Sequence, residues 1–182
     1  GDVYKRQELN VPFFKIASGE IHSIDMLEYI SKSNKPVILS SGMSTFNDVK
    51  QSLKILQKHK KKNITLLHCV SSYPTRLQDM NLKRIDNLKE KFNLDIGLSD
   101  HSLSDIPAII AVTKSAKVIE KHVTISRKLK GPDHKASLEI SEFNDFVKKI
   151  RDAELLCQSN LKKISLDAVS YTHLRAHETF HD

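Results

Sequence analysis

Two imidazoles and several ionisable groups stand at the ends of two successive apolar runs in this chain. Asp95-Ile96-Gly97-Leu98 leads into Ser99-Asp100-His101, and Ala116-Lys117-Val118-Ile119 leads into Glu120-Lys121-His122. Gly131-Pro132-Asp133-His134-Lys135 follows with a further carboxylate and imidazole. Short apolar runs that end in polar residues are expected as buried parallel strands whose C-terminal ends open onto a site. Glu120 and His122 are two apart, so on a strand they share a face. Two neutral histidines from neighbouring strand ends, with carboxylates nearby, are the donor types of a divalent-metal site, and His101 and His122 are expected close enough to share an ion.

The elements that must position these groups recur. Apolar runs cover Phe13–Ser18, Pro36–Ser41, Ile64–Val70, Asp95–Ser99 and Val118–His122. Helix-like stretches lie between them. Val49, Leu53, Leu56 and Gln57 follow helical spacing, and so do Phe143, Phe146, Val147 and Ile150, with Ser141 expected as N-cap and Glu142 in the first turn. Strand–helix alternation at this period means βαβ units and a parallel sheet, either a barrel or an open doubly wound sheet. Every run ends in polar chemistry: Lys15 to Glu20, Ser40-Ser41-Gly42, His68-Cys69 with Ser71-Ser72-Tyr73, then the two histidine triplets. Many strand ends feeding one site is the habit of a (β/α)₈ barrel, whereas an open sheet concentrates its ligand at one switch point. The expected fold is therefore α/β, a partial barrel of about five βα units.

The 182 residues have the length of about one domain. The formal charge is +7, from 29 Lys+Arg against 22 Asp+Glu. The densest basic run, Lys58-His59-Lys60-Lys61-Lys62, has no interleaved aromatic residues, so it is expected as a solvated loop and not as a nucleic-acid platform. No apolar stretch approaches the roughly 20 residues of a membrane span. Cys69 and Cys157 are too few and too far apart for a disulfide framework, which points to a reducing cytoplasm. Residues 1–7 and 169–182 show no matching pattern and are expected as adapter-derived extensions around a domain at 8–168. His173, His177 and His181 fall in the second of these and are set aside.

In order, KIASGE (Lys15–Glu20), KPVILSSGM (Lys35–Met43), LLHCVSSYPT (Leu67–Thr75), GLSDHS (Gly97–Ser102), VIEKHVT (Val118–Thr124) and GPDHKASLE (Gly131–Glu139) resemble the sialic acid synthase family, which includes N-acetylneuraminate and legionaminate synthases. The resemblance runs over about residues 9 to 157. Pseudaminate synthases fit less well, having phenylalanine where Gly19 stands and lysine where His68 stands.

The resemblance implies a (β/α)₈ barrel, of which this chain would hold strands 4–8, followed by an antifreeze-like domain that reaches into the partner's site in a domain-swapped homodimer. It implies condensation of phosphoenolpyruvate with an N-acetylated hexosamine such as N-acetylmannosamine, using Mn²⁺ or Mg²⁺. By the same resemblance Lys15, Ser18, Ser40 and Ser99 would hold phosphoenolpyruvate, with Ser71 at the position of a frequent asparagine. His101 and His122 would bind the metal, and Tyr73, Glu120 and Asp133 would contact the sugar. The chemistry agrees: a buried anion needs lysine charge and hydroxyl donors, and a bound cation polarises an aldehyde. Water addition needs a base, for which Glu120 and Asp133 are the two candidates.

Departures from the pattern are Val70, where a hydroxyl residue is common, and Ser104, where glycine is usual. The first three strands of the family barrel and the antifreeze-like domain have no counterpart. Two other readings use the same motifs. A ketodeoxyoctonate phosphate-type synthase should show an extra basic cluster at strand ends, and none is evident. A non-catalytic sugar- or phosphate-binding barrel fragment would have little use for both histidines together with Lys15 and Glu120.

Overall fold

Alternation along each apolar run sends one set of side chains to a helical layer and the other towards a lumen. The computed structural model describes residues 11–59 and 63–158. Five parallel strands, β1 (Phe14–Ile16), β2 (Val37–Ser40), β3 (Ile64–Cys69), β4 (Asp95–Asp100) and β5 (Ile119–Lys121), lie side by side in chain order. Helices α1 (Ile24–Ser31), α2 (Phe46–Leu56), α3 (Lys83–Phe92) and α4 (Ile106–Thr113) make the crossovers. Sequential order with no reversal excludes the doubly wound alternative for these strands.

Phe14, Ile16, Val37, Leu39, Ile64, Leu66, Ile96 and Leu98 face the helices. There they pack with Leu27, Ile30, Val49, Leu53, Leu56, Ile85 and Leu88 in one buried core. The expected stripe of α2 is in that core, and Thr45 caps the helix reciprocally with Asp48: Asp48 N donates to Thr45 Oγ1 at 3.2 Å, and Thr45 N to Asp48 Oδ2 at 2.8 Å. The register pairs Ser40 with Leu67, Leu67 with Gly97, Cys69 with Ser99 and Ser99 with Glu120. These side chains line the opposite face. A Cβ on Gly97 would stand 2.4 Å from Val118 O and 2.5 Å from Leu67 Cδ2, so the floor of the lumen tolerates only glycine there.

The sheet is strongly curved. Four strand spacings of about 4.8 Å separate the edges by about 19 Å along the sheet. Yet Lys15 on β1 and Glu120 on β5 meet across the lumen at 3.4 Å. The result is a half-barrel. Its open side is a cleft of about 540 Å³ between the β1 and β5 edges and α5 (Ile140–Cys157), lined in part by Phe13, Ile38, Val118, Phe143 and Phe146.

After β5 the chain forms a small parallel pair, β6 (Val123–Thr124) with β7 (Leu138–Glu139), and enters α5. The expected N-cap is corrected here. Glu139, not Ser141, caps α5: its carboxylate accepts from the Glu142 backbone while Glu142 Oε2 accepts from Glu139 N at 2.9 Å. A glutamate is a rare cap; Arg127, whose backbone N–H donates to Glu139 Oε1 at 2.8 Å and whose guanidinium pairs with Glu142, holds it in place. In the basic run, Lys58 pairs with Glu28 at 3.5 Å. Residues 60–62, and both terminal segments with His173, His177 and His181, lie outside the described residues.

Candidate active site

Chain order and the period of two bring the lumen-facing strand ends together. Lys15 Nζ donates to Ser40 Oγ at 2.9 Å and lies 3.4 Å from Glu120 Oε2. The Ser99 hydroxyl donates to Glu120 Oε1 at 2.6 Å. Ser18 and Ser71 hydroxyls are 3.3 Å apart. Cys69 is the cross-strand partner of Ser99 and lies between the two groups. Six of the expected residues thus fall into two linked sets, Ser18 with Ser71 and Ser40 with Lys15, Glu120 and Ser99.

Gly42 lets this cluster close. A Cβ there would lie 2.5 Å from Ser71 Oγ, 2.9 Å from Cys69 Sγ and 3.2 Å from Ser18 Cβ. Cys69 is a site residue that motif reading passed over. Its place two residues beyond lumen-facing Leu67 was the available signal. Burial pushes its thiol pKa up, which keeps it a protonated, uncharged neighbour.

His101 and His122 sit on the same side, with ring centroids 5.1 Å apart and planes nearly perpendicular. Tyr73 covers them, its ring 4.2 Å from His101 and 5.8 Å from His122. His101 Nδ1 is 2.9 Å from Val70 O. A carbonyl only accepts, so Nδ1 carries the proton and Nε2 keeps its lone pair. Burial holds the His101 pKa below its ordinary 6.5, against the opposing pull of Val70's carbonyl. A neutral imidazole whose outer N–H is tied to a carbonyl is the usual arrangement of a metal-ligating histidine. Among the described residues no group of three or more His, Cys, Asp or Glu is disposed to hold an ion. The pair thus offers two neutral nitrogen donors with no third protein donor grouped beside them among the described residues.

Asp133 lies on the exposed rim, just before the turn His134–Ala136. Its negative charge is felt by Tyr73, whose hydroxyl pKa is raised by burial first and then by Cys69, Asp133 and Glu120. No hydrogen bond joins the Asp133 carboxylate to the lumen cluster among the described residues. Its loop is held by Thr124 Oγ1 to His134 Nδ1 at 2.7 Å and Ser137 Oγ donating to Asp133 O at 2.7 Å.

Each of the five strands sends a residue to the lumen, but not every polar residue at a strand end faces it. His68 faces the helices: its Nε2 donates to Met80 O at 2.7 Å, and its Nδ1 is buried without a partner. Asp100 and Lys121 also turn to the helices, where they pair at 2.8 Å.

The curved parallel sheet gathers Lys15, Glu120 and several serine hydroxyls at its lumen-facing strand ends, beside the two imidazoles. The chain belongs to the NeuB family, whose model matches residues 2–162. It is 42% identical over 160 residues to the N,N'-diacetyllegionaminic acid synthase of Campylobacter jejuni, covering 87% of this chain and 48% of that protein. It is 40% identical over 141 residues to the pseudaminic acid synthase of the same species, covering 78% and 41%. The crystal structure of the N-acetylneuraminic acid (sialic acid) synthetase of Leptospira borgpetersenii, in complex with citrate, superposes with a TM-score of 0.84 at 32% identity, over 99% of this chain and 63% of that one. The chain spans about half the length of the curated relatives it matches.

Proposed function

We propose that this chain forms the catalytic side of a nonulosonic acid synthase barrel, supplying strands 4–8. The enzyme joins phosphoenolpyruvate to N-acetylmannosamine or its diacetamido analogue and releases phosphate. The observation that carries this reading is the Ser40–Lys15–Glu120–Ser99 chain set beside the His101–His122 pair. Lys15 neutralises the phosphoenolpyruvate charge, with Ser18, Ser40, Ser71 and Ser99 donating hydrogen bonds. His101 and His122 hold Mn²⁺ or Mg²⁺, which when bound supplies Lewis-acid charge to the sugar aldehyde.

The enol carbon attacks the aldehyde carbon, a C–C bond forms, and the alkoxide takes a proton. Water adds to the cationic carbon that remains, giving up its proton to Glu120. The tetrahedral intermediate then breaks its C–O bond: phosphate leaves with the proton that Glu120 returns, the hydroxyl proton goes to solvent in place of the one the alkoxide took from it, and the keto acid remains. Glu120 suits the base role better than Asp133, because its carboxylate lies in the lumen between Lys15 and Ser99. Tyr73 and Asp133, on the rim, contact the sugar.

The proposed assembly is a domain-swapped homodimer completed by an antifreeze-like domain. The proposed compartment is the cytoplasm, in keeping with Cys69 and Cys157 as free thiols. No helix among the described residues is long and apolar enough to cross a membrane. The test is to assay the full-length protein with phosphoenolpyruvate, Mn²⁺ and each sugar in turn. Sugar-dependent phosphate release supports the reading, and its absence with both sugars refutes it.

A further inference from the structure

Asp100 and Lys121 form an ion pair on the helix-facing side of β4 and β5, with Nζ 2.8 Å from Oδ2 and side chains 0% and 4% exposed. The two residues are direct cross-strand partners, one step beyond the Ser99–Glu120 pair. Lys121 Nζ also donates to Ser102 O at 2.6 Å, and Ser102 N donates to Asp100 Oδ1 at 2.8 Å. The Phe146 ring of α5 lies 5.7 Å from the ammonium.

A buried ion pair is a poor source of stability, and its best-attested use is to specify register. Register is what this corner of the sheet needs. β5 has three residues, so its ladder with β4 fixes the register through only three residue pairs. A slip of one residue would turn Glu120 and His122 to the helices and Lys121 to the lumen. It would also leave both buried charges unpaired. Given the synthase reading above, we infer that Asp100 and Lys121 are positioning residues, a buried register lock that holds Glu120 and His122 opposite Ser99 and His101. The pair touches no substrate; it acts through its sequence neighbours on the other face.

The test uses the full-length protein and the double variant Asp100→Asn/Lys121→Met, which removes both charges so that neither is left alone. Co²⁺ affinity, read by its visible absorption, and kcat are each expected to fall about 10–100-fold, the range for groups that orient ligands. KM for phosphoenolpyruvate is expected to rise by less than Co²⁺ affinity falls, since Lys15, Ser18, Ser40 and Ser71 lie outside β4 and β5 and of its contacts only Ser99 adjoins the pair. Asp100→Glu keeps both charges and adds one methylene, and should lower kcat and Co²⁺ affinity at least about tenfold through misplacement. A folded double variant with parental kcat and Co²⁺ affinity overturns the inference. If the double variant does not fold, parental values in Asp100→Glu overturn it, and failure of both to fold assigns the pair to stability and overturns it too. An unmutated protein that binds Co²⁺ but makes no product counts against the synthase reading alone, because the Co²⁺ affinities of the variants still decide the register lock.

Discussion

Replacing Lys15 by methionine keeps the stem that packs in the lumen and removes its charge. The ammonium is 2.9 Å from Ser40 Oγ and 3.4 Å from Glu120 Oε2, and its side chain is 27% exposed. Losing a hydrogen bond to a charged group costs about 1.5–3 kcal/mol. Lys15→Met also leaves the Glu120 carboxylate facing the incoming anion without its cation. At an effective dielectric of 20, two charges 4 Å apart repel by about 4 kcal/mol. Glu120 is 33% exposed, so solvent screening removes much of that. A net loss of about 2–3 kcal/mol corresponds to about 30- to 150-fold weaker phosphoenolpyruvate binding. Calorimetric titration of the full-length variant with phosphoenolpyruvate measures this, and KM for the sugar should move by less than about twofold, because uniform binding of that substrate is untouched. Equal losses for both substrates, or an unchanged phosphoenolpyruvate affinity, would refute the assignment of Lys15.

Three further outcomes are expected. Gly42→Ala should cost about 1–3 kcal/mol through overpacking against Ser71, Cys69 and Ser18, and should weaken phosphoenolpyruvate binding as well; urea unfolding beside the same titration checks both, and an unperturbed variant would contradict the close approach. His68 and His101 both have pKa values held below 6.5 by burial, so the unfolded chain takes up protons that the folded one refuses. Stability is therefore full above pH 6.5 and is lost as pH falls towards the depressed folded values, at up to about 1.4 kcal/mol per pH unit for each histidine. Urea midpoints at pH 7.5 and 5.5 test this, and a flat profile argues against neutral imidazoles. The 182-residue chain by itself, in which β1 and β5 are the sheet edges among the described residues and Phe13 is 44% exposed beside the cleft, is expected to self-associate and to lack synthase activity; a cooperatively unfolding, active monomer by light scattering would contradict this.

The strands were legible because each is a short apolar run ending in polar residues, and the observed bounds fall within one or two residues of those runs. The face of each polar residue was legible in part. Period two put Glu120 with His122, and the same rule applied to Asp100, Lys121 and His68 would have sent them to the helices. What no local pattern carries is the curvature that brings Lys15 from one edge strand to Glu120 on the other, since it accumulates over five strands and their helices. The cap of α5 was misplaced for a related reason. Ser141 is the better cap by propensity, but Arg127, distant in sequence, holds Glu139 and Glu142 where they cap each other.

Carbon–carbon bond formation is the most direct test of the lumen as a synthase site. The full-length protein, supplied with Mn²⁺, N-acetylmannosamine or its diacetamido analogue, and phosphoenolpyruvate labelled with ¹³C at its methylene carbon, would be followed by NMR. The expected result is a new labelled methylene signal correlated through bonds with a sugar proton, appearing in step with free phosphate. Labelled pyruvate alone, or phosphoenolpyruvate left intact with both sugars, would contradict it.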